Sequence, residues 1–131
     1  MPLIDTSAWI EYLRGTGSRT NLEVRELIGY DAQICDPVRM ELLAGARDGK
    51  HVTQLEKLLA RATVIKTESV DYDNAAAIYR ACRKLGITIR AQVDCLIAAI
   101  VIRTDTTLLH NDSEFDAIAQ VTKIKIHGAK R

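Results

Sequence analysis

Four groups of acidic residues stand in this chain where carboxylates are costly. Asp5 closes the apolar start Leu3-Ile4, Glu41 lies inside Met40-Glu41-Leu42-Leu43-Ala44, Asp94 precedes the apolar run Cys95 to Ile102, and Asp112, Glu114 and Asp116 follow Leu108-Leu109. A carboxylate moved into low dielectric takes up a proton unless a positive charge keeps it ionised, so several in apolar company point to a shared cation. All are oxygen donors without an associated His or Cys pair, which favours a hard ion, Mg²⁺ or Mn²⁺, over zinc.

Each acid also has a plainer reading. Asp5 ends a strand and precedes a helix, which suits a ligand site in an open parallel sheet and equally suits an N-cap. Glu41, at helical spacing, shares a face with Val38, Leu42 and Gly45 and not with Arg39 and Arg47; the competing reading is a buried ion pair with an arginine. Asp94 opens a helix that is apolar nearly all round, so that helix is central, and its positive end favours an ionised carboxylate. Asp112 and Asp116 are four residues apart and share a face if helical, while Asn111-x-x-Glu114 can form a capping box. Asp112 is therefore the ligand candidate of this cluster, with Asp116 ranked ahead of Glu114.

The elements that must position these side chains alternate short apolar runs with longer helical patterns, as in βαβ units around a parallel sheet. Strands are expected at Leu3-Ile4, 33–35, 64–66, 107–109 and 124–126, and helices at 7–13, 21–28, 37–46, 52–62, 72–85, 91–103 and 113–119. Asp36 is expected to cap the helix that Pro37 opens, and Gly86 to end the helix before it. Side chains at strand ends and helix starts can converge on one end of such a sheet.

At 131 residues, with 47 % hydrophobic and 27 % charged residues, the composition is that of one ordinary globular domain. No repeat, low-complexity tract or composition shift divides it, so residues 1–131 are read as one domain. The net charge of +1 conceals an asymmetry: setting aside Asp5, Glu41, Asp94, Asp112 and Asp116 leaves 12 of the 17 acids against 18 Lys plus Arg. A basic surround with an acidic pocket suits metal-assisted cleavage of a polyanion, although a mixed solvated surface reads the same way. Three cysteines without metal-ligand spacing argue against a disulfide scaffold and for a reducing cytoplasm. The run from Cys95 to Ile102 is far short of the ~20 residues that span a bilayer, and the opening Met1-Pro2-Leu3-Ile4 does not read as a signal peptide.

Four segments in order carry a family resemblance. Leu3-Ile4-Asp5-Thr6-Ser7-Ala8-Trp9, Pro37-x-x-Met40-Glu41-Leu42, Val93-Asp94-Cys95-Leu96-Ile97-Ala98-Ala99 and Asn111-Asp112-Ser113-Glu114-Phe115 resemble the acidic motifs of PIN-domain ribonucleases, and length and spacing resemble the VapC toxins of toxin-antitoxin pairs. The resemblance implies a PIN-like three-layer sandwich, with a central parallel sheet of four to five short strands flanked by helices. It also implies a Mg²⁺-dependent endoribonuclease, a cognate VapB-type antitoxin that blocks the acidic groove, and a homodimer. Asp5, Glu41, Asp94 and Asp112 match the family's acidic quartet. Members similar to this chain often end the last motif Asp-x-Asp-Phe; Asp112-Ser113-Glu114-Phe115 departs from that, which leaves Asp116 as the alternative ligand to Glu114.

The expected reaction is in-line hydrolysis of an RNA phosphodiester by metal-activated water, without a protein nucleophile. Asp5 and Asp94 are expected to hold the principal ion, Glu41 to bind it directly or through water, and Asp112 to support a second ion or a bound water. Ser7 and Asn111 are expected to steady these ligands. Arg80, Arg83 and Lys84 share a helical face and Arg90 lies just ahead of Asp94; they are candidates for flanking RNA phosphates, or simply a solvated face. Trp9, Tyr12 and Leu13 are either core or a groove for the antitoxin. His51, His110 and His127 show no triad or zinc pairing. Competing functions on the same fold are a non-catalytic RNA- or partner-binding module and a housekeeping RNA-processing nuclease.

Overall fold

The computed structural model describes residues 1–128, and in it five short strands form one sheet flanked by seven helices. The strands are β1 (Pro2–Ile4), β2 (Gln33–Cys35), β3 (Thr63–Ile65), β4 (Thr107–Leu109) and β5 (Lys125–Ile126). The helices are α1 (Thr6–Leu13), α2 (Arg19–Leu27), α3 (Asp36–Ala44), α4 (Gly49–Leu59), α5 (Ser69–Lys84), α6 (Gln92–Arg103) and α7 (Glu114–Val121). All strand pairs are parallel, in the order β3-β2-β1-β4-β5.

This order decides where a ligand can sit. From β1 the chain crosses to β2 and β3 in one direction, then returns past β1 to β4 and β5. Right-handed crossovers therefore place α1 to α4 on one face and α5 to α7 on the other. Packing agrees within each layer, where α1 meets α2 and α3, α3 meets α4, and α5, α6 and α7 pack on one another; α3 also meets α6, bringing Glu41 and Asp94 to the same cleft. The reversal falls between β1 and β4, where Ile4 is in register with Leu109 and the Asp5 N–H donates to the Leu109 carbonyl at 2.9 Å. A crevice opens at the C-terminal end of the strands at such a point.

Burial explains why the strands read as continuous apolar runs. Leu3, Ile4, Ile34, Cys35, Leu108 and Leu109 are buried in one core with Trp9, Val38, Ile97, Ile100 and Phe115. Helix α6 buries seven of its 12 residues, Asp94 among them; it is the central helix that its composition predicts. Among the described residues no helix is long and apolar enough to cross a membrane.

Most element boundaries move by a few residues, and caps account for the changes. Ser18 accepts from the Asn21 N–H and starts α2 early, Asp48 accepts from His51 and does the same for α4, and a Glu68–Asp71 capping box extends α5 backward. Gly86 ends α5 as expected: at φ +79°, it lets Gly86 and Ile87 return N–H bonds to Arg83 and Cys82. Asp36 is not the cap of α3. Cys35 holds that position, Asp36 is the first helical residue, and Pro37 sits in the first turn.

The sequence pattern did not reveal the ion pair that anchors α6 to α5. Arg103, at the end of α6, donates through Nε to Asp71 Oδ1 at 2.7 Å and through Nη2 to Asp71 Oδ2 at 3.0 Å and to the Lys66 carbonyl at 2.7 Å. Asp71 is fully buried. Burial acts to raise its carboxyl, but the bonds from Arg103 and the Glu68 backbone hold it below the usual range. Removing one partner of a buried pair strands the other charge, so Arg103→Leu is expected to cost about 3 kcal/mol in urea unfolding. Adding Asp71→Asn should recover part of that loss; equal destabilisation of single and double variants would show that the pair is not what anchors the helices.

Candidate metal and nuclease site

A cleft of about 340 Å³ opens at the reversal point, lined by Asp5, Thr6, Ser7, Ile10, Glu41, Arg90, Ala91, Asp94, Asp112 and Glu114. The predicted quartet therefore comes together, joined by Glu114. Asp5 arrives from the end of β1, Glu41 from the middle of α3, Asp94 from the first turn of α6, Asp112 from the β4–α7 connection and Glu114 from the start of α7.

Asp5 is both cap and site residue. Its Oδ2 accepts from the Ser7 N–H at 3.0 Å and the Ser7 hydroxyl at 2.5 Å, capping α1. Its Oδ1 is buried and has no hydrogen-bond partner among the described residues. Two readings that compete in the sequence are thus divided between two oxygens. Desolvation above all, with a smaller push from Glu41, raises the Asp5 carboxyl to about 6 despite the Ser7 bonds.

Asp94 is buried, and desolvation followed by the charges of Asp5, Asp112, Glu41 and Glu114 pushes it up to about 8. One oxygen from each of Asp94, Asp112 and Glu114 lies within 4.8 Å of the others. An unpartnered buried carboxylate oxygen beside such a trio fits a hard divalent cation, because among the described residues lining the cleft only Arg90, at the rim, carries a positive charge. Asp94 can serve either side of the cleft, with Asp5 and Glu41 or with Asp112 and Glu114.

Hydroxyls connect the ligands. Thr6 Oγ1 donates to Glu41 Oε1 at 2.6 Å, so Glu41 is held from α1 and not by an arginine; Arg39, its neighbour on α3, pairs with Glu56 instead. In the sequence Thr6 reads only as a candidate N-cap hydroxyl beside Asp5 and Ser7; the fold turns that hydroxyl to Glu41 instead. Ser7 Oγ also accepts from the Asn111 N–H at 2.9 Å, tying the Asp5 strand end to the loop that carries Asp112. Asn111 thus contributes through its backbone. Asp112 Oδ1 accepts from the Glu114 N–H at 3.0 Å, and the Asp112 N–H donates to His110 Nδ1 at 3.1 Å.

Several expected positions lie elsewhere. Asp116 lines a separate pocket with Thr20, Glu23, His110 and His127, because Asp112 precedes α7 and does not share its face. The Asn111–Glu114 capping box does not form; Glu114 Oε2 instead accepts from the Arg90 N–H and Nε. Arg80 and Arg83 line a groove between α5 and α6 with Tyr72 and Tyr79, away from the carboxylates, and Lys84 lines neither cleft. Trp9 is fully buried core, leaving Leu13 exposed and Tyr12 half-buried on α1. The three cysteines are buried and free, with Cys35 and Cys95 pushed up to about 12 by burial, so none is a reactive thiolate.

A short-stranded parallel sheet with a carboxylate cleft at its reversal point defines the class as a PIN domain, and the PIN-domain family profile matches residues 3–121. The chain is 44 % identical over 129 residues to the VapC ribonuclease Mb1587 of Mycobacterium bovis and to ribonuclease VapC11 of Mycobacterium tuberculosis, covering 95 % of this chain and 96 % of each relative. Solved structures with the same fold include VapBC2 from Rickettsia felis bound to a promoter DNA fragment, with TM-score 0.75 at 17 % identity over 95 % of both chains. DNA-bound VapBC from Salmonella typhimurium aligns with TM-score 0.76 at 16 % identity over 96 % of this chain and 97 % of that one. The chain belongs to the VapC family of PIN-domain ribonucleases.

The raised carboxyls make stability depend on pH and cation together. Folded Asp5 and Asp94 keep protons to about 6 and about 8, whereas unfolded aspartate releases them near about 4. Their contribution to metal-free stability is therefore greatest below about pH 4 and is lost as pH rises through 6 and 8. Added Mg²⁺ should raise the Tm more at about pH 8 than at about pH 5, and Asp94→Asn should flatten that dependence. A pH-independent gain in thermal scans with Mg²⁺ against EDTA would place the ion elsewhere.

Proposed function

We propose that the chain is a Mg²⁺-dependent endoribonuclease, with Mn²⁺ as a substitute, acting as the toxin of a toxin-antitoxin pair. The observation that carries this reading is the convergence of five carboxylates on one cleft, with a buried Asp5 oxygen unpartnered among the described residues and the Asp94 carboxyl pushed up to about 8. A divalent ion bound there supplies Lewis acidity toward the phosphodiester and a more acidic bound water. The protein's part is positional. Asp5 and Asp94 provide the principal ligand oxygens, Glu41, steadied by Thr6, orients the water for in-line attack, and Asp112 with Glu114 forms the other wall. The active-site residues proposed are thus Asp5, Glu41, Asp94 and Asp112, with Glu114 in the place considered for Asp116.

RNA as substrate is supported by the relatives' names and by the excess of basic residues outside the cleft. Arg80 and Arg83, beside Tyr72 and Tyr79 in the α5–α6 groove, with Lys84 at the end of α5, are proposed contacts for chain flanking the cut. Antitoxin partnership is supported by the VapBC complexes that share the fold. Its proposed seat is the α1–α2 side of the acidic groove, where Leu13 and Leu22 are exposed. A homodimer in the cytoplasm completes the proposal.

The test is cleavage of total RNA with Mg²⁺, with EDTA, and by Asp5→Asn and Asp94→Asn. Because groups that merely orient a ligand cost about 10–100-fold when removed, loss of a ligand should cost about 100-fold or more. Activity that survives both substitutions rejects the metal-site assignment, and tight RNA binding by a wild type that never cleaves would make the chain a binding module. Growth arrest on expression, relieved by the protein of a small upstream reading frame, would separate a toxin from a housekeeping nuclease.

A further inference from the structure

Among the described residues, Arg90 is the one cationic side chain lining the acidic cleft, and its attachment is lopsided. Both its backbone N–H, at 3.0 Å, and its Nε, at 3.3 Å, donate to the same oxygen, Glu114 Oε2. The Arg90 side chain is 82 % exposed while that of Glu114 is 12 % exposed. An ion pair with one solvated partner adds at most about 1 kcal/mol of stability, so fold stability does not explain an arginine here. Nor does Glu114 depend on the guanidinium, since the shorter bond comes from the backbone.

We propose that Arg90 is a substrate-binding residue that grips the RNA phosphate at the cut, with Glu114 as the anchor that aims it. This rests on the ribonuclease reading above and assigns one residue a defined part in it. Nε is committed to Glu114, and the two Nη groups have no protein acceptor among the described residues. A guanidinium fixed through Nε still presents an Nη donor pair suited to phosphate oxygens, which a lysine ammonium cannot match. Charge requires such a group, because five carboxylates would repel an incoming phosphodiester even after one divalent ion has bound. The guanidinium stands at the rim, where it meets that phosphate without entering the ligand set. The backbone bond holds Glu114 independently of the guanidinium, so the Nη pair can engage RNA without disturbing the acid.

Steady-state cleavage of a single-stranded RNA by wild type, Arg90→Ala and Arg90→Lys, at several salt concentrations, tests the assignment, together with calorimetric titration of Mn²⁺ into each protein. Arg90→Ala should lower kcat/KM by about 10- to 100-fold and flatten the slope of log kcat/KM against log salt by about 0.7, one phosphate contact on a single strand. Arg90→Lys should restore the slope but only part of the rate. Mn²⁺ affinity should stay within about twofold, because Glu114 keeps its backbone anchor. Unchanged cleavage and slope in Arg90→Ala overturn the proposal, and so does a loss confined to Mn²⁺ affinity, which would make Arg90 a support for Glu114 alone. A wild type that cleaves no RNA with Mg²⁺ present would instead overturn the ribonuclease reading and this assignment with it.

Discussion

Mutual repulsion among carboxylates is the constraint around which this protein is arranged. Asp94, Asp112 and Glu114 place oxygens within 4.8 Å of one another, and like unit charges at that separation repel by about 3.5 kcal/mol per pair at an effective dielectric of 20. Asp5 and Glu41 add to the load on Asp94 from the other side. The cleft relieves the load by taking up protons, as the raised Asp5 and Asp94 carboxyls show, or by taking up a cation. At neutral pH the second route leaves the carboxylates ionised, so the repulsion that costs stability is what a bound cation would relieve.

Holding those charges together needs a frame that does not yield, and the polar contacts supply it at both ends of α6. At the N-terminal end, Ser7 joins the Asp5 strand end to the Asn111 backbone, and Thr6 holds Glu41 across from α1. At the C-terminal end, Arg103 grips fully buried Asp71. Between them lie Cys95, Ile97, Ala98, Ala99, Ile100 and Val101, all buried. Close packing along that length leaves no void to move into, so Asp94 cannot retreat from its neighbours by sliding the helix. The buried ion pair and the crowded cleft are thus opposite uses of charge on one element.

How much of this was legible follows from the kind of signal each feature leaves. The parallel sheet and the burial of α6 leave periodic apolar patterns, and five strands appear where such runs were read. Asp5, Glu41, Asp94 and Asp112 are visible because each breaks an apolar context. Asp71 is fully buried and Arg103 partly so, yet they stand 32 residues apart in chain positions that look like ordinary helix ends, where charge is unremarkable. Thr6 is similar: a threonine beside an aspartate reads as helix-start chemistry, and only the fold brings Glu41 against it. Pairings between distant elements leave no mark in local pattern.

In the last motif, helical spacing sets Asp116 beside Asp112, whereas the fold sets Glu114 there. Spacing favours Asp116 over Glu114 only if Asp112 is already helical. Instead Asp112 stays outside α7, accepting the Glu114 N–H, and the first helical residue is Glu114. From there Asp116 is turned toward His110 and His127, while Glu114 faces the cleft. Its extra methylene, which looks like a defect beside the shorter acid expected at that place, gives the carboxylate the reach to touch Arg90 across the rim and still lie beside Asp94 and Asp112. The longer side chain and the arginine opposite it are therefore one arrangement: lengthening the acid without a donor at the rim would leave it mobile, and the Arg90 backbone N–H removes that freedom.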